Sequence, residues 1–102
     1  MTREEILSEA KKCVCGGRTY DYGAPEDSFG LIADLWSVYK CVEITPKDVA
    51  IMMCLLKVSR IKTSDRADSF IDLAGYAACA GEIAGFMENA FVPKSTEIFG
   101  LE

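Results

Sequence analysis

The sequence predicts an all-α fold, a compact four-helix bundle, and three observations carry that expectation. Apolar residues recur at helical rather than alternating spacing along most of the chain. Helix-start signals (threonine three residues ahead of an acid, or proline at the first helical position) precede the periodic segments. The connections are short, so successive helices have to pack as neighbours. A chain of 102 residues has room for one such core.

Thr2 and Glu5 form a capping box, in which hydroxyl and carboxylate each satisfy an orphan amide of the first turn. Ile6, Leu7, Ala10, Cys13 and Val14 then repeat at helical spacing, and Gly16-Gly17 stops a helix of about Thr2 to Cys15. An aromatic and charged loop follows, from Arg18 through Tyr20 and Tyr22 to Gly23 and Ala24. Pro25 opens the second helix, where its missing amide costs nothing, and Glu26 and Asp27 suit the helix dipole. Phe29, Ile32, Ala33, Trp36 and Tyr39 make one apolar stripe, so this helix spans about Pro25 to Lys40. Thr45-Pro46-Lys47-Asp48 caps a third helix that ends near Ile61. From Val49 to Leu56 it is apolar nearly all round, as befits a helix central in a bundle or shared between subunits. A fourth helix is expected from Ser64 to about Met87, rich in small residues between Leu73 and Gly81 that let another helix approach closely. Residues 1–90 thus read as one helical domain. Residues 91–102, with Pro93, Ile98, Phe99 and Leu101, read as an irregular tail that docks on the bundle or on a neighbouring subunit.

Composition narrows the function. The formal net charge of -5 disfavours non-specific binding to nucleic acid, which needs a basic face. Asp72 and Glu82 interrupt the longest apolar stretch, so no membrane span is expected, and the acidic, helical start is no signal peptide. The cysteines are odd in number, and Cys41, Cys54 and Cys79 sit at or near apolar helical runs. They read as small hydrophobes in a reducing compartment rather than as a disulfide framework. Histidine is absent, which excludes Ser-His and Cys-His catalysis, and Cys13-Val14-Cys15 lacks the spacing of zinc sites.

The constellation best placed to carry chemistry spans the third and fourth helices. Lys57 and Arg60 lie three apart on one face near the end of the third helix, and Asp68 and Asp72 lie four apart at the start of the fourth. A short turn makes the two helices antiparallel, so all four side chains can meet. The plain reading is an interhelical salt-bridge cluster that fixes register. The sharper one is a pocket in which the bases hold a phosphate and the acids orient them or bind a ribose hydroxyl. A third is Mg²⁺ ligation by Asp68 and Asp72, although such a site needs further carboxylates, and Glu26, Asp27, Asp48 and Glu82 form no second facing pair. In the loop, Tyr20 and Tyr22 could stack on a base and Arg18 could hold a phosphate, or the tyrosines could cover the open end of the bundle.

These residues also carry a resemblance. The string Arg18-x-x-x-Tyr22-Gly23-x-Pro25-Glu26-Asp27-x-Phe29, then Ile32-Ala33-x-x-Trp36, then Asp48-Val49-Ala50-x-Met52-Met53-x-Leu55-Leu56-Lys57-x-x-Arg60, then Asp68-Ser69-x-x-Asp72-x-Ala74-Gly75-Tyr76-Ala77 resembles a family of small phage and prophage proteins of unknown function. Its second half also resembles the domain associated with phage nucleotide modification, and both are distantly similar to the all-α MazG-like nucleotide pyrophosphohydrolases. Those enzymes hold Mg²⁺ with an E-x-x-E pair on one helix and an E-x-x-D pair on the next. Here Lys57-x-x-Arg60 stands in the place of the first pair, and Asp68-x-x-x-Asp72 in that of the second. Exchanging carboxylates for cations removes metal ligands and adds phosphate ligands.

The resemblance therefore implies a phage-type protein in the host-cell cytoplasm that holds a nucleotide or nucleotide-derived signal without turnover, needs no cofactor, and could sequester a host defence signal. Its expected ligand residues are Arg18, Tyr22, Lys57, Arg60, Asp68, Asp72 and Tyr76. The alternatives are a Mg²⁺-dependent pyrophosphohydrolase with Asp68 and Asp72 as metal ligands, and a module that binds a host protein through its apolar helix and tail. A homo-oligomer is expected under each reading, because the third helix is too apolar and the fourth too rich in small residues for an isolated bundle of this size.

Overall fold

A computed structural model of the chain describes residues 1–16 and 25–87, with side chains placed for 1–16 and 27–85. The described residues form four α-helices and no strand: α1 Arg3–Cys15, α2 Pro25–Lys40, α3 Pro46–Ile61 and α4 Ala67–Met87. The loop from Arg18 to Gly23, with Tyr20 and Tyr22, and the tail from Phe91 to Glu102 lie outside the described residues.

Both threonine caps form as their sequences require. The Glu5 amide donates to Thr2 Oγ1 at 3.1 Å, and the Thr2 amide donates back to the Glu5 carboxylate at 3.0 Å. At α3 the Asp48 amide donates to Thr45 Oγ1 at 3.1 Å, and the Thr45 amide donates to Asp48 Oδ2 at 2.9 Å. Each box satisfies amides that a helix start would otherwise leave without partners. These hydrogen bonds favour the ionised acid, and they hold the Glu5 and Asp48 carboxyls below the ordinary carboxylate range.

The helix ends need more than sequence signals. Cys41, just past α2, takes a positive φ of 55°, and the Val42 amide donates to the Ser37 carbonyl at 3.3 Å. This is a Schellman-type stop, built at a position where glycine is usual. Ser37 is also the pin of the α2–α3 connection. Its hydroxyl donates to the Ala33 carbonyl at 2.7 Å and accepts from the Ile44 amide at 2.8 Å. At the other turn the Arg60 carbonyl accepts from the amides of Thr63 and Ser64 and from the Thr63 hydroxyl. Ser64 therefore closes α3 instead of opening α4, which starts three residues later than its sequence suggests, at Ala67.

α4 is the element that meets all three others. It packs along α3, carries α1 on another side and touches α2 through Tyr76 and Phe29. The close approach of α1 depends on Gly75, where an added Cβ would stand 3.1 Å from Val14 Cγ1. Among the described residues the buried core is Ala10, Ala33, Val49, Ala50, Ile71, Cys79, Ala80 and Ile83, half of it alanine. Small residues let the helices close up, but each removes little apolar area from water.

Several apolar expectations are corrected here. Only part of the α1 periodicity is core: Ala10 is buried and Val14 half-buried, while Leu7 and Cys13 are exposed. Of the three cysteines expected at apolar packing positions, Cys79 is buried and Cys54 half-buried, but Cys41 is exposed on its cap. Burial pushes the Cys54 thiol above its ordinary value. α3 is not central: one side is buried against its neighbours, and the other leaves Ile51, Met52, Leu55, Leu56 and Val58 exposed.

Candidate functional site

Lys57 lies in the inward half of α3, on the same side as Val49, Ala50 and Met53. A lysine there needs a counter-charge, because an ammonium loses hydration as it is covered. Asp72 supplies it: Lys57 Nζ stands 3.0 Å from Asp72 Oδ2 across the α3–α4 interface. The Lys57 side chain retains 14% of its exposure and the Asp72 side chain 37%. The pair is therefore anchored from below and open to solvent on the carboxylate side.

The other two members of the expected cluster are placed differently. Asp68 is exposed, and its carboxylate lies 3.7 Å from the Arg66 guanidinium in the turn before α4. The positions Asp68, Asp72, Tyr76 and Cys79 do share one face of α4, but that face passes from exposed through half-buried to buried along the helix. Asp68 thus stands one turn too far toward the open end to reach Lys57, and of the expected four-residue cluster only Lys57 and Asp72 pair with each other, Asp68 taking Arg66 instead. Arg60 is exposed near the end of α3, one turn beyond Lys57, and its guanidinium forms no ion pair among the described residues.

Tyr76 is half-buried, and its ring lies against Phe29 with centroids 6.1 Å apart and planes inclined at 35°. This tilted contact ties α2 to α4 one turn beyond Asp72. Arg18 and Tyr22 belong to the loop outside the described residues. Sequence reasoning paired Arg60 with the aspartates and passed over Arg66. The signal available was that a guanidinium two residues from Asp68 reaches it without crossing a helix interface.

Among the described residues, no three His, Cys, Asp or Glu side chains gather in a way that could hold a metal ion. The Asp48 carboxylate is engaged by the Thr45 amide, and Asp72 by Lys57. No helix among the described residues is long and apolar enough to cross a membrane.

The chain is similar to proteins of phage origin. The family described as a domain of unknown function (DUF6378) matches residues 5–84. The Gene 55 protein of Mycobacterium phage D29 is 46% identical over 81 residues, covering 78% of this chain and 54% of the relative. The Gene 55 protein of Mycobacterium phage L5 is 45% identical over 91 residues, covering 87% of this chain and 54% of the relative. The chain thus spans about half the length of the curated relatives it matches. No solved structure matches it.

Proposed function

We propose that this chain, which belongs to the DUF6378 family of phage proteins, binds a nucleotide or nucleotide-derived small molecule without turning it over. The observation that carries the reading is the state of the two cations on α3. Lys57 is mostly covered and held in place by a carboxylate that remains partly open, and Arg60, one turn away, is engaged in no ion pair among the described residues. A fixed ammonium beside an available guanidinium is a suitable arrangement for phosphate oxygens, the guanidinium giving paired donors and the ammonium a point charge. Asp72 positions Lys57 and leaves an oxygen able to accept from a ribose hydroxyl. Arg18, Tyr22 and Tyr76 belong to the proposed ligand set, with a tyrosine ring as the stacking surface for a base. Asp68, paired with Arg66, would contribute from the rim.

The exchange of the MazG-like acidic pair for Lys57-x-x-Arg60 favours holding over hydrolysis, since Asp68 and Asp72 on α4 are themselves matched by cations. Within a phage, a protein of this kind would act by sequestering a nucleotide signal of the host.

The test is mass spectrometry of small molecules released by heating the purified protein after exposure to a nucleotide-metabolite extract, with and without Mg²⁺. Recovery of one intact nucleotide irrespective of metal, lost in Lys57→Ala and Arg60→Ala variants that still unfold cooperatively, is the expected result. A monophosphate that is released only with Mg²⁺ would replace this reading by hydrolysis. Equal recovery from both variants would move the pocket elsewhere.

A further inference from the structure

Two neighbouring helices carry large apolar residues on the sides turned away from the core. On α2 these are Leu31, Leu35 and Val38, with Val42 just beyond the helix, exposed by 63, 61, 78 and 57%. On α3 they are Ile51, Met52, Leu55, Leu56 and Val58, exposed by 44, 43, 62, 41 and 50%. The spacing is regular. Leu31, Leu35 and Val38 advance by four and three, as do Ile51, Leu55 and Val58. That alternation is the seam spacing by which one helix receives the side chains of another. On α2 the seam lies opposite Ala33, so the face that it forms is a second one, not a widened core stripe.

From these observations we infer that the outer face of α2 and α3 is the contact surface for a second copy of this chain. Area supports the assignment. With roughly 160–200 Å² for a fully exposed aliphatic residue, the nine side chains leave on the order of 800 Å² open, above the ~300–600 Å² of a usual largest patch and close to the ~800 Å² each partner gives to a standard interface. Charge selects self-association over a charged partner. A two-fold contact brings the same patch on both copies together, so any charge in it would meet its like. From Ile51 to Ser59 the one charged side chain is Lys57, which is turned inward, and on α2 Asp34 flanks the seam without lying in it. Lys57 and Asp72 of the proposed ligand site occupy the α3–α4 side, away from this surface, and Arg60 lies at its edge, one turn beyond Leu56.

Sedimentation velocity on the full chain across a micromolar concentration range tests the inference. The expected result is a dimer, or a larger assembly built on it, that Leu55→Glu or Leu35→Glu weakens on the order of thirtyfold or more, the loss typical of truncating an interface hot spot. Far-UV circular dichroism should remain helical, and Leu55→Thr, which trims the contact without adding charge, should move the equilibrium the same way. Ala78→Glu, on the exposed side of α4, should leave assembly unchanged. A monomeric chain throughout the range overturns the assignment. So does an oligomer that survives both leucine variants or dissociates with Ala78→Glu alone.

Discussion

Two ion pairs at one end of the helical hairpin differ in what surrounds them, and that difference sets their worth. Lys57 and Asp72 meet at 3.0 Å with the ammonium largely covered, whereas Arg66 and Asp68 meet at 3.7 Å with both side chains at least 75% exposed. Water screens the second pair, and two long side chains gain little by holding one geometry there. Removing Asp72 leaves a covered cation without its counter-charge, which costs more than the pair itself contributes. A double-mutant cycle on Lys57 and Asp72, read by urea unfolding, should give a coupling of about 1 kcal/mol, and the same cycle on Arg66 and Asp68 close to zero. Arg60 is the contrasting residue. Its sequence spacing matches Lys57, yet its guanidinium stays on the exposed side, and so its replacement by alanine should leave stability nearly unchanged while testing the ligand reading directly.

For the elements, the starts of α1 and α3 are secured by local chemistry that tertiary packing does not supply. In α3 the Asp48 carboxylate accepts from the Thr45 amide, and this bond is what depresses its titration. A carboxyl whose folded value is depressed contributes stability that is fully present above its unfolded value, ~3.9 for aspartate, and is lost as pH falls through the lower folded value. Acid unfolding should therefore show a contribution from Asp48 that vanishes in Asp48→Asn, measured as a flatter dependence of unfolding free energy on pH between about 5 and 2. Thr45→Ala should cost about 1 kcal/mol at neutral pH, because the hydroxyl acceptor of the Asp48 amide is lost. The helix ends follow other rules. Ser37 and Cys41 stop α2 by hydrogen bonds between residues five and seven apart in sequence and by a left-handed residue, features that a scan for glycine passes over.

On the scale of the whole molecule, the alanine-rich core of the described residues and the exposed apolar face on α2 and α3 belong together. Among the described residues, little large apolar surface is fully buried, Ile83 and Val49 being the largest fully covered side chains, and small domains are marginal for that reason. Burial between copies would supply what burial within one copy does not. The melting temperature should then rise with protein concentration, because association with a second copy stabilises the folded chain by mass action. Differential scanning calorimetry at two well-separated concentrations reads this, and a melting point independent of concentration would show that the face contributes nothing to stability.

The sequence by itself determined where α1, α2 and α3 begin and that each carries an apolar side. Thr2 with Glu5, Thr45 with Pro46 and Asp48, and Pro25 act within one turn, and the apolar spacing of Phe29, Ile32, Ala33 and Trp36 likewise belongs to one helix, whereas Tyr39, expected in the same stripe, stands 84% exposed outside it. Interactions of that range are the same in any fold, so they can be read before one is known. Tertiary structure alone decided which apolar side faces the core and which faces outward on α3, since a helix apolar all round carries no label for either. It also decided that Asp72 and not Asp68 meets Lys57. Four carboxylate and cation positions on two antiparallel helices allow several pairings, and the choice among them depends on the axial offset of α4 against α3. That offset is set by the turn that the Thr63 and Ser64 amides close on the Arg60 carbonyl and by the packing of α4 along α3, and the packing joins residues from different elements.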